Sequence, residues 1–415
     1  MMLAFLQALV VATLVTGCVL AQPCNVDECA DVLILGAGMA GVAAARTLHV
    51  KGITNYIVLE ASDKIGGRIR RDDARNIELG ANWIHGLDKN DKNRHPLWRE
   101  WLRCSNGEPE GSETPMDETM ITLFENISDE FGQFYDIVSK TEGYQRRREQ
   151  YELAEYRAEK CSKSASEDVS LGDTLLSGGW KSEVSDTFGS HIDSAFTLGR
   201  FIEWNKIDYC FGVGPKNLSL MHSFPENDTY EVFLGEGTNS KPSCYLITDE
   251  KGYSYVVDCL AEDFNHTKLK LNAMVKEVET SDDCVCVTMQ DKKKYCASYA
   301  ILTFSMGVLQ AAIRGDASAV QFKPKLPQEL EGAINNVTLV HFAKIFLKFD
   351  EPLWAESGKP QQHFGYASGR KGYFPVFFTV KSIPNTIHVH VTGDLALEVQ
   401  KQDKQITTNE IMTIL

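Results

Sequence analysis

The stretch from Ala30 to Glu60 constrains the fold more than any other part of this 415-residue chain. Val32-Leu33-Ile34-Leu35, led by Asp31, reads as a buried strand, and Gly36-Ala37-Gly38-Met39-Ala40-Gly41 follows at once. Val42 to Val50 are helix formers without proline or glycine, and Gly52 closes the helix they predict. A second apolar strand, Tyr56-Ile57-Val58-Leu59, ends in Glu60, nineteen residues beyond Gly41. Each part of this unit has a physical task. Gly36 permits a tight turn, Gly38 lets backbone N–H groups approach a pyrophosphate, and Gly41 lets the helix start lie against the strand. The helix N-terminus offers partial positive charge to phosphates, and Glu60 can accept both hydrogen bonds of a ribose diol. A chance glycine-rich turn would need neither flanking strand nor the acid at this spacing.

Two further segments follow the acid: Ser62-Asp63-Lys64-Ile65-Gly66-Gly67-Arg68-Ile69, then Glu78-Leu79-Gly80-Ala81-Asn82-Trp83-Ile84-His85-Gly86. The paired glycines with Arg68 resemble the signature of flavin-dependent amine oxidases, and the second segment resembles their polyamine oxidase and spermine oxidase branch. The resemblance implies FAD as cofactor and an α/β fold, a Rossmann-type FAD-binding domain interleaved with an α+β substrate-binding domain, its mixed sheet flanked by helices. It assigns residues 26–104 and 240–333 to the first domain and 105–239 and 334–415 to the second. It makes Gly36, Gly38, Ala40, Gly41, Glu60, Gly67, Arg68, Asn82, Trp83 and Val275 cofactor-binding, Val275 lying over the adenine. Adjacent glycines do let backbone approach a ligand, and Arg68 adds a cation for the pyrophosphate. The bland alternative for Arg68 is a solvated loop charge.

A second chemical landmark is Val340-His341-Phe342-Ala343-Lys344-Ile345-Phe346-Leu347-Lys348-Phe349. At period two, Phe342, Lys344 and Phe346 share one face and Ala343, Ile345 and Leu347 the other, which places a lysine among apolar neighbours on a strand expected to be central. Burial lowers a lysine's pKa and suits it to proton handling, although residues alone favour a snorkelling structural lysine. In the resembling enzymes, the lysine here holds a water against flavin N5, so the resemblance makes Lys344 catalytic. It makes His85 the second catalytic candidate, near the substrate amine, where a neutral imidazole can take a proton from an ammonium; an ordinary hydrogen-bonded loop histidine is the equal alternative. A second acid that some relatives carry after the match to Tyr209-Cys210-Phe211 is replaced by Gly212-Val213-Gly214.

Elsewhere, Met120, Phe124, Ile127, Phe131, Phe134 and Val138 recur at steps of four and three, which predicts one helix face. Arg146 to Lys160 continues as a helix with a solvated, mixed-sign face, Ser164 to Ser170 reads as a loop, and Leu269 to Val278 as one strand. Gly252 to Ala261 resembles the family's glycine-led helix, and Tyr299 to Leu309 its strand and turn beneath the dinucleotide. Met1 to Ala21 is apolar without an acid and reads as a secretory signal peptide, too short and unflanked for a stable membrane anchor. Sequons at Asn126, Asn217, Asn227, Asn265 and Asn336 agree with secretion. Of the ten cysteines beyond that segment none has CxxC spacing, so disulfides of unreadable connectivity are expected and a metal is not. The net charge of −15 argues against a nucleic-acid partner and is compatible with a cationic substrate.

The function the sequence points to is secreted, FAD-dependent oxidation of a small polyamine of the spermine or spermidine type, with O2 reduced to H2O2. An L-amino-acid or monoamine oxidase of the same superfamily, or a truncated non-catalytic paralogue, are the alternatives. The last arises because the resembling enzymes carry a further flavin-contacting segment past the match to Leu415, so a chain limited to these residues is expected to bind FAD weakly or not at all and to release negligible peroxide with amines.

Overall fold

The run Val32–Leu35 offers water no polar side chain, so it needs a strand on each edge and cover on both faces. A computed structural model supplies both; it describes residues 28–88, 95–105, 111–115, 122–125, 135–137, 142–182, 192–224, 242–247, 250–264, 266–351, 361–380 and 383–415. The chain begins with β1 (Glu28–Leu35), α1 (Met39–Val50) and β2 (Tyr56–Leu59). A hairpin of β3 (Arg71–Asp72) and β4 (Ile77–Glu78), then β5 (Trp83–Asp88) and α2 (Pro96–Ser105), complete the first part. Short strands β6 (Gly111–Pro115), β7 (Thr122–Glu125) and β8 (Tyr135–Ile137) precede the helices α3 (Glu142–Ser162), α4 (Leu171–Ser177) and α5 (Ile192–Glu203). After β9 (Pro242–Ile247) and α6 (Tyr255–Glu262) come β10 (Leu269–Lys270), β11 (Val275–Thr280), β12 (Val285–Met289), β13 (Lys294–Leu302) and β14 (Gln321–Lys323). The last strands are β15 (Phe342–Lys348), β16 (Gln361–Ala367), β17 (Val376–Val380) and β18 (Ile383–Thr392).

Two large sheets organise these elements. A seven-stranded sheet runs β10-β2-β1-β13-β12-β11-β14, with β1 parallel to both β2 and β13, and a six-stranded sheet runs β15-β18-β17-β16-β7-β8. One face of the first packs Val32, Ile34 and Val58 on Val42 and Ala45 of α1, Val256 and Leu260 of α6, and Trp98 and Trp101 of α2. The opposite face buries Leu33, Leu35, Val275, Val287 and Met289. A disulfide, Cys104–Cys259, ties α2 to α6, and another, Cys286–Cys296, joins opposed residues of β12 and β13. The fold is thus α/β with a mixed sheet and flanking helices, as expected.

Several local expectations need correction. The described parts of the helix predicted over 120–138 are the antiparallel pair β7 and β8, because β7 also pairs with β16 and sheet formation overrides a local period of three and four. Leu269–Val278 is two strands, not one. Asn272, at a φ of 55°, turns the chain between β10 on one edge of the sheet and β11 near the other. Within α3, Arg147 is buried rather than solvated, lying 4.6 Å over the Trp180 ring and donating to the Lys181 carbonyl.

Candidate active site

The glycine turn is built as its spacing implies, with α1 starting three residues earlier than predicted, at Met39 after Gly38. Gly36 has a φ of 109°, and a Cβ on it would come within 2.6 Å of Thr303 Oγ1. Thr303, at the end of β13, donates to the Leu35 and Gly36 carbonyls and so clamps the turn from below. A Cβ on Gly41 would overlap the Gly36 carbonyl, which is the close helix-to-strand approach. Gly38 differs: a Cβ there would meet nothing nearer than the Gly66 carbonyl at 4.0 Å. The side of Gly38 that glycine leaves bare is therefore open space.

Around this opening the remaining dinucleotide residues converge. Gly38 and Gly66 form a parallel bridge, the Gly66 N–H donates to the Ala37 carbonyl, and Gly67 is exposed at a φ of 60°. Ala40, in the first turn of α1, and Arg68, beside Gly67, are both exposed, and no acidic side chain occupies that first turn. Glu60, directly after β2, accepts from the Ala37 N–H at 2.7 Å and from the Ser62 N–H at 2.9 Å, so its carboxylate faces the turn. Val275 is buried at the head of β11, and the Ala273 N–H donates to the Glu60 carbonyl, bringing that crossover to the end of β2. An uncharged opening walled by backbone N–H groups, with a carboxylate at one end and a cation on its rim, fits the pyrophosphate and ribose of FAD. Those residues would hold it.

Lys344 lies on β15, at an edge of the six-stranded sheet rather than in its middle; among the described residues β15 pairs only with β18. It is half-buried all the same, because the segment Gly80–Asn82 covers it: Lys344 Nζ donates to the Gly80 carbonyl and, at 3.0 Å, to Asn82 Oδ1. Gly80 permits this packing, since a Cβ on it would overlap the Arg68 carbonyl. Lys344 and the Gly80–Asn82 segment, far apart in sequence, therefore meet. Burial pushes the Lys344 ammonium down to about 8, partly opposed by the charge of Glu78. Trp83, half-buried, pairs with Leu246 between β5 and β9. His85 is placed opposite Cys244 in the same pair, and its side chain lies outside the described residues.

Beneath Lys344, β18 presents Thr386, His388, His390 and Thr392 on one face and Ile387, Val389 and Val391 on the other. An alternating strand normally turns its polar face to water. Here all four polar residues are buried. His390 sits directly opposite Lys344, is hydrogen-bonded through Nδ1 to the Tyr209 hydroxyl at 2.9 Å, and has the Phe378 ring 4.5 Å away. His388 faces Phe346, ring centres 4.6 Å apart, and burial together with the Lys344 charge pushes its imidazole down to about 4. Trp204 Nε1 donates to Thr392 Oγ1 at 3.1 Å. Sequence reasoning missed Thr303, Tyr209, Glu78 and both β18 histidines; the Thr-x-His-x-His-x-Thr alternation was a legible signal, but it reads as a solvated face. Gly212, which opens the Gly212-Val213-Gly214 run, has a φ of 75°, and a Cβ on it would run into Val340.

Comparison with known proteins agrees with this geometry. The family pattern described as flavin containing amine oxidoreductase matches residues 39–415. Polyamine oxidase 1 of Zea mays is 31% identical over 409 residues, covering 92% of this chain and 73% of that protein. Polyamine oxidase 6 of Oryza sativa subsp. japonica is 29% identical over 408 residues, covering 92% and 74%. Lysine-specific histone demethylase 1B of Mus musculus is 26% identical over 404 residues, covering 93% of this chain but 43% of that protein. With the family pattern spanning residues 39–415 and a relative 31% identical over most of both chains, the chain belongs to the flavin containing amine oxidoreductases and is an FAD-dependent amine oxidoreductase.

Proposed function

We propose that this protein oxidises polyamines of the spermine and spermidine type, with dioxygen as the final acceptor and hydrogen peroxide as a product. The observation that carries the reading is the meeting of Lys344 with the Gly80–Asn82 segment at a face walled by Phe342, Phe346, Tyr209 and His390. Aromatic faces accommodate methylene chains and attract ammonium groups. None of the four strands β15, β16, β17 and β18 itself carries an arginine to receive the carboxylate of an amino acid, and the polyamine oxidases among the relatives support the same class.

The chemistry that bound FAD would supply is acceptance of a hydride from the carbon beside the amine nitrogen and return of the electrons to dioxygen. The chain's own residues do the rest. Gly36 to Gly41, Glu60 and Arg68 would fix the dinucleotide, and Gly80 and Asn82 hold Lys344 Nζ in place. A lysine titrating near 8 can hold or release a proton at Nζ close to neutral pH, as an amine that must shed one before C–H cleavage requires. His85 is the second proton acceptor in this proposal. Secretion belongs to the same reading and is supported by the apolar run Met1–Ala21, two disulfides, and exposed sequon asparagines at 217 and 336. Among the described residues no helix is long and apolar enough to cross a membrane, and no cluster of three His, Cys, Asp or Glu is placed to hold a metal.

The test is peroxide release from the secreted chain, loaded with FAD, on spermine, spermidine, benzylamine and leucine. Turnover on the polyamines that falls by about a hundredfold or more in Lys344→Met while FAD stays bound is expected. Preference for benzylamine or leucine, or a fully active Lys344→Met, overturns the assignment.

A further inference from the structure

The turn between β11 and β12 sets a thiol against a disulfide. Ser281 and Cys284 close it: the Ser281 N–H donates to the Cys284 carbonyl at 2.9 Å, and the Cys284 N–H donates to Ser281 Oγ at 3.2 Å. Val285, Val287 and Met289 of β12 point into the core, so Cys286 faces the other way, and Cys284, two residues before it, lies on the same half-buried side. Cys286 is bonded to Cys296 of β13, which is buried, whereas Cys284 is outside any disulfide. Cys284 Sγ stands 4.0 Å from Cys286 Sγ, so the thiol rests against the bonded sulfur. Two residues of strand span about 6.4–6.8 Å, within the Cα separation that a disulfide can bridge.

We propose that Cys284 is an exchange thiol for the Cys286–Cys296 disulfide, so that this corner of the sheet holds either of two bridges. The Cys284 thiolate attacks Cys286 Sγ. The Cys284–Cys286 bond forms as the Cys286–Cys296 bond breaks, the electron pair leaves on Cys296 Sγ, and Cys296 takes up a proton in place of the one Cys284 released. One disulfide and one thiol stand on each side, so no oxidant or reductant is consumed. A small external thiol, which meets a buried sulfur at Cys296, is given a more accessible bond to attack once the bridge has moved to the turn. The move also reaches the dinucleotide end of the sheet. The starting bridge closes the loop that contains Gln290, whose N–H donates to the Met274 carbonyl, and the neighbouring Ala273 N–H donates to the Glu60 carbonyl. With the bridge moved to the turn, β12 and β13 lose their covalent tie and keep their backbone pairing. Cys29, opposite Cys296 on β1, is the cysteine on the other flank.

The experiment follows reduction of the folded full chain by a small excess of dithiothreitol, with samples quenched in acid, alkylated after unfolding and digested with trypsin. Cys284 and Cys286 fall in one peptide, 277–292, and Cys296 in another, 295–314. The starting bridge links the two peptides; the moved bridge leaves 277–292 internally closed and Cys296 alkylated. The closed peptide is expected as a transient ahead of full reduction, and loss of the starting bridge is expected to be at least about tenfold slower in Cys284→Ser. Should that variant fail to fold, iodoacetamide on Cys284 of the folded wild type, its site read from the same peptide, imposes the same block. Equal reduction rates with Cys284 present and blocked overturn the proposal, and so does a Cys29–Cys296 linkage in place of the closed peptide. Neither readout involves FAD or an amine, so a failed turnover assay leaves this result standing.

Discussion

Around Gly36 to Gly41 the functional atoms are backbone N–H and C=O groups, and side chains matter by being absent. Around Lys344 they are side-chain atoms brought from β4, β15, β18 and the Gly80–Asn82 segment, and they matter by being buried together. The first region tolerates no bulk at Gly36 or Gly41 and contains little charge beyond Glu60 and Arg68. The second concentrates a lysine, a carboxylate and two imidazoles where water is scarce. A cradle of backbone can be coded by glycine spacing within one short segment, whereas a cluster of buried polar side chains depends on which strands the fold sets side by side.

The largest effect expected from breaking this contrast is at Gly41. A Cβ there overlaps the Gly36 carbonyl, and both groups belong to backbone that cannot rotate away. Gly41→Ala should cost on the order of 3–5 kcal/mol, because β1 and α1 must separate, and FAD binding should go with it. Urea unfolding measures the loss. A variant within about 0.5 kcal/mol of wild type would mean that the turn relaxes freely and that its glycines are not set by packing.

The same contrast decides what could be read in advance. The strand, turn, helix and acid of the cradle were legible because every constraint is local, down to Glu60 meeting the Ala37 N–H. Thr303 was not, since its place under Gly36 follows from the parallel pairing of β1 with β13, residues some 267 positions apart. Lys344 was legible only through its flanking pattern and a family resemblance; its edge position and its contact with Gly80 are tertiary facts. His388 and His390 were hidden by their own alternation, which reads as a polar face turned to water. β7 and β8 were misread because their partners, not their periodicity, decide their state.

A smaller but sharper effect concerns acid stability. His388 titrates near 4 in the fold, against an ordinary value of 6.5, because burial first and the Lys344 charge second disfavour its cation. The unfolded chain therefore takes up this proton first as pH falls. The stability tied to the neutral ring is present above about 6.5 and is lost progressively down to about 4, up to ~3 kcal/mol in all. His388→Leu should flatten that part of the curve, as unfolding free energies at pH 7 and pH 4.5 would reveal. Equal acid losses in variant and wild type would remove His388 from the polar cluster. No comparable acid-sensitive group lies within Gly36 to Gly41, whose backbone atoms do not titrate in this range.

The smallest expected effect on stability is also the most discriminating, because it separates the two uses of glycine inside one turn. Gly38 has a φ of −68° and a ψ of −178°, an extended conformation open to any residue, and a Cβ there meets only the Gly66 carbonyl at 4.0 Å. Gly38→Ala should thus stay within about 1 kcal/mol of wild type, the residual cost being that of a poorer N-cap. Yet the methyl group would stand where the backbone must meet a pyrophosphate, so FAD affinity should fall at least about tenfold, some 1.4 kcal/mol. Melting temperature and flavin absorbance after gel filtration read the two quantities on one sample. A Gly38→Ala protein that melts normally and remains yellow at wild-type stoichiometry would take the pyrophosphate away from this turn; one that unfolds would make Gly38, like Gly41, a packing glycine.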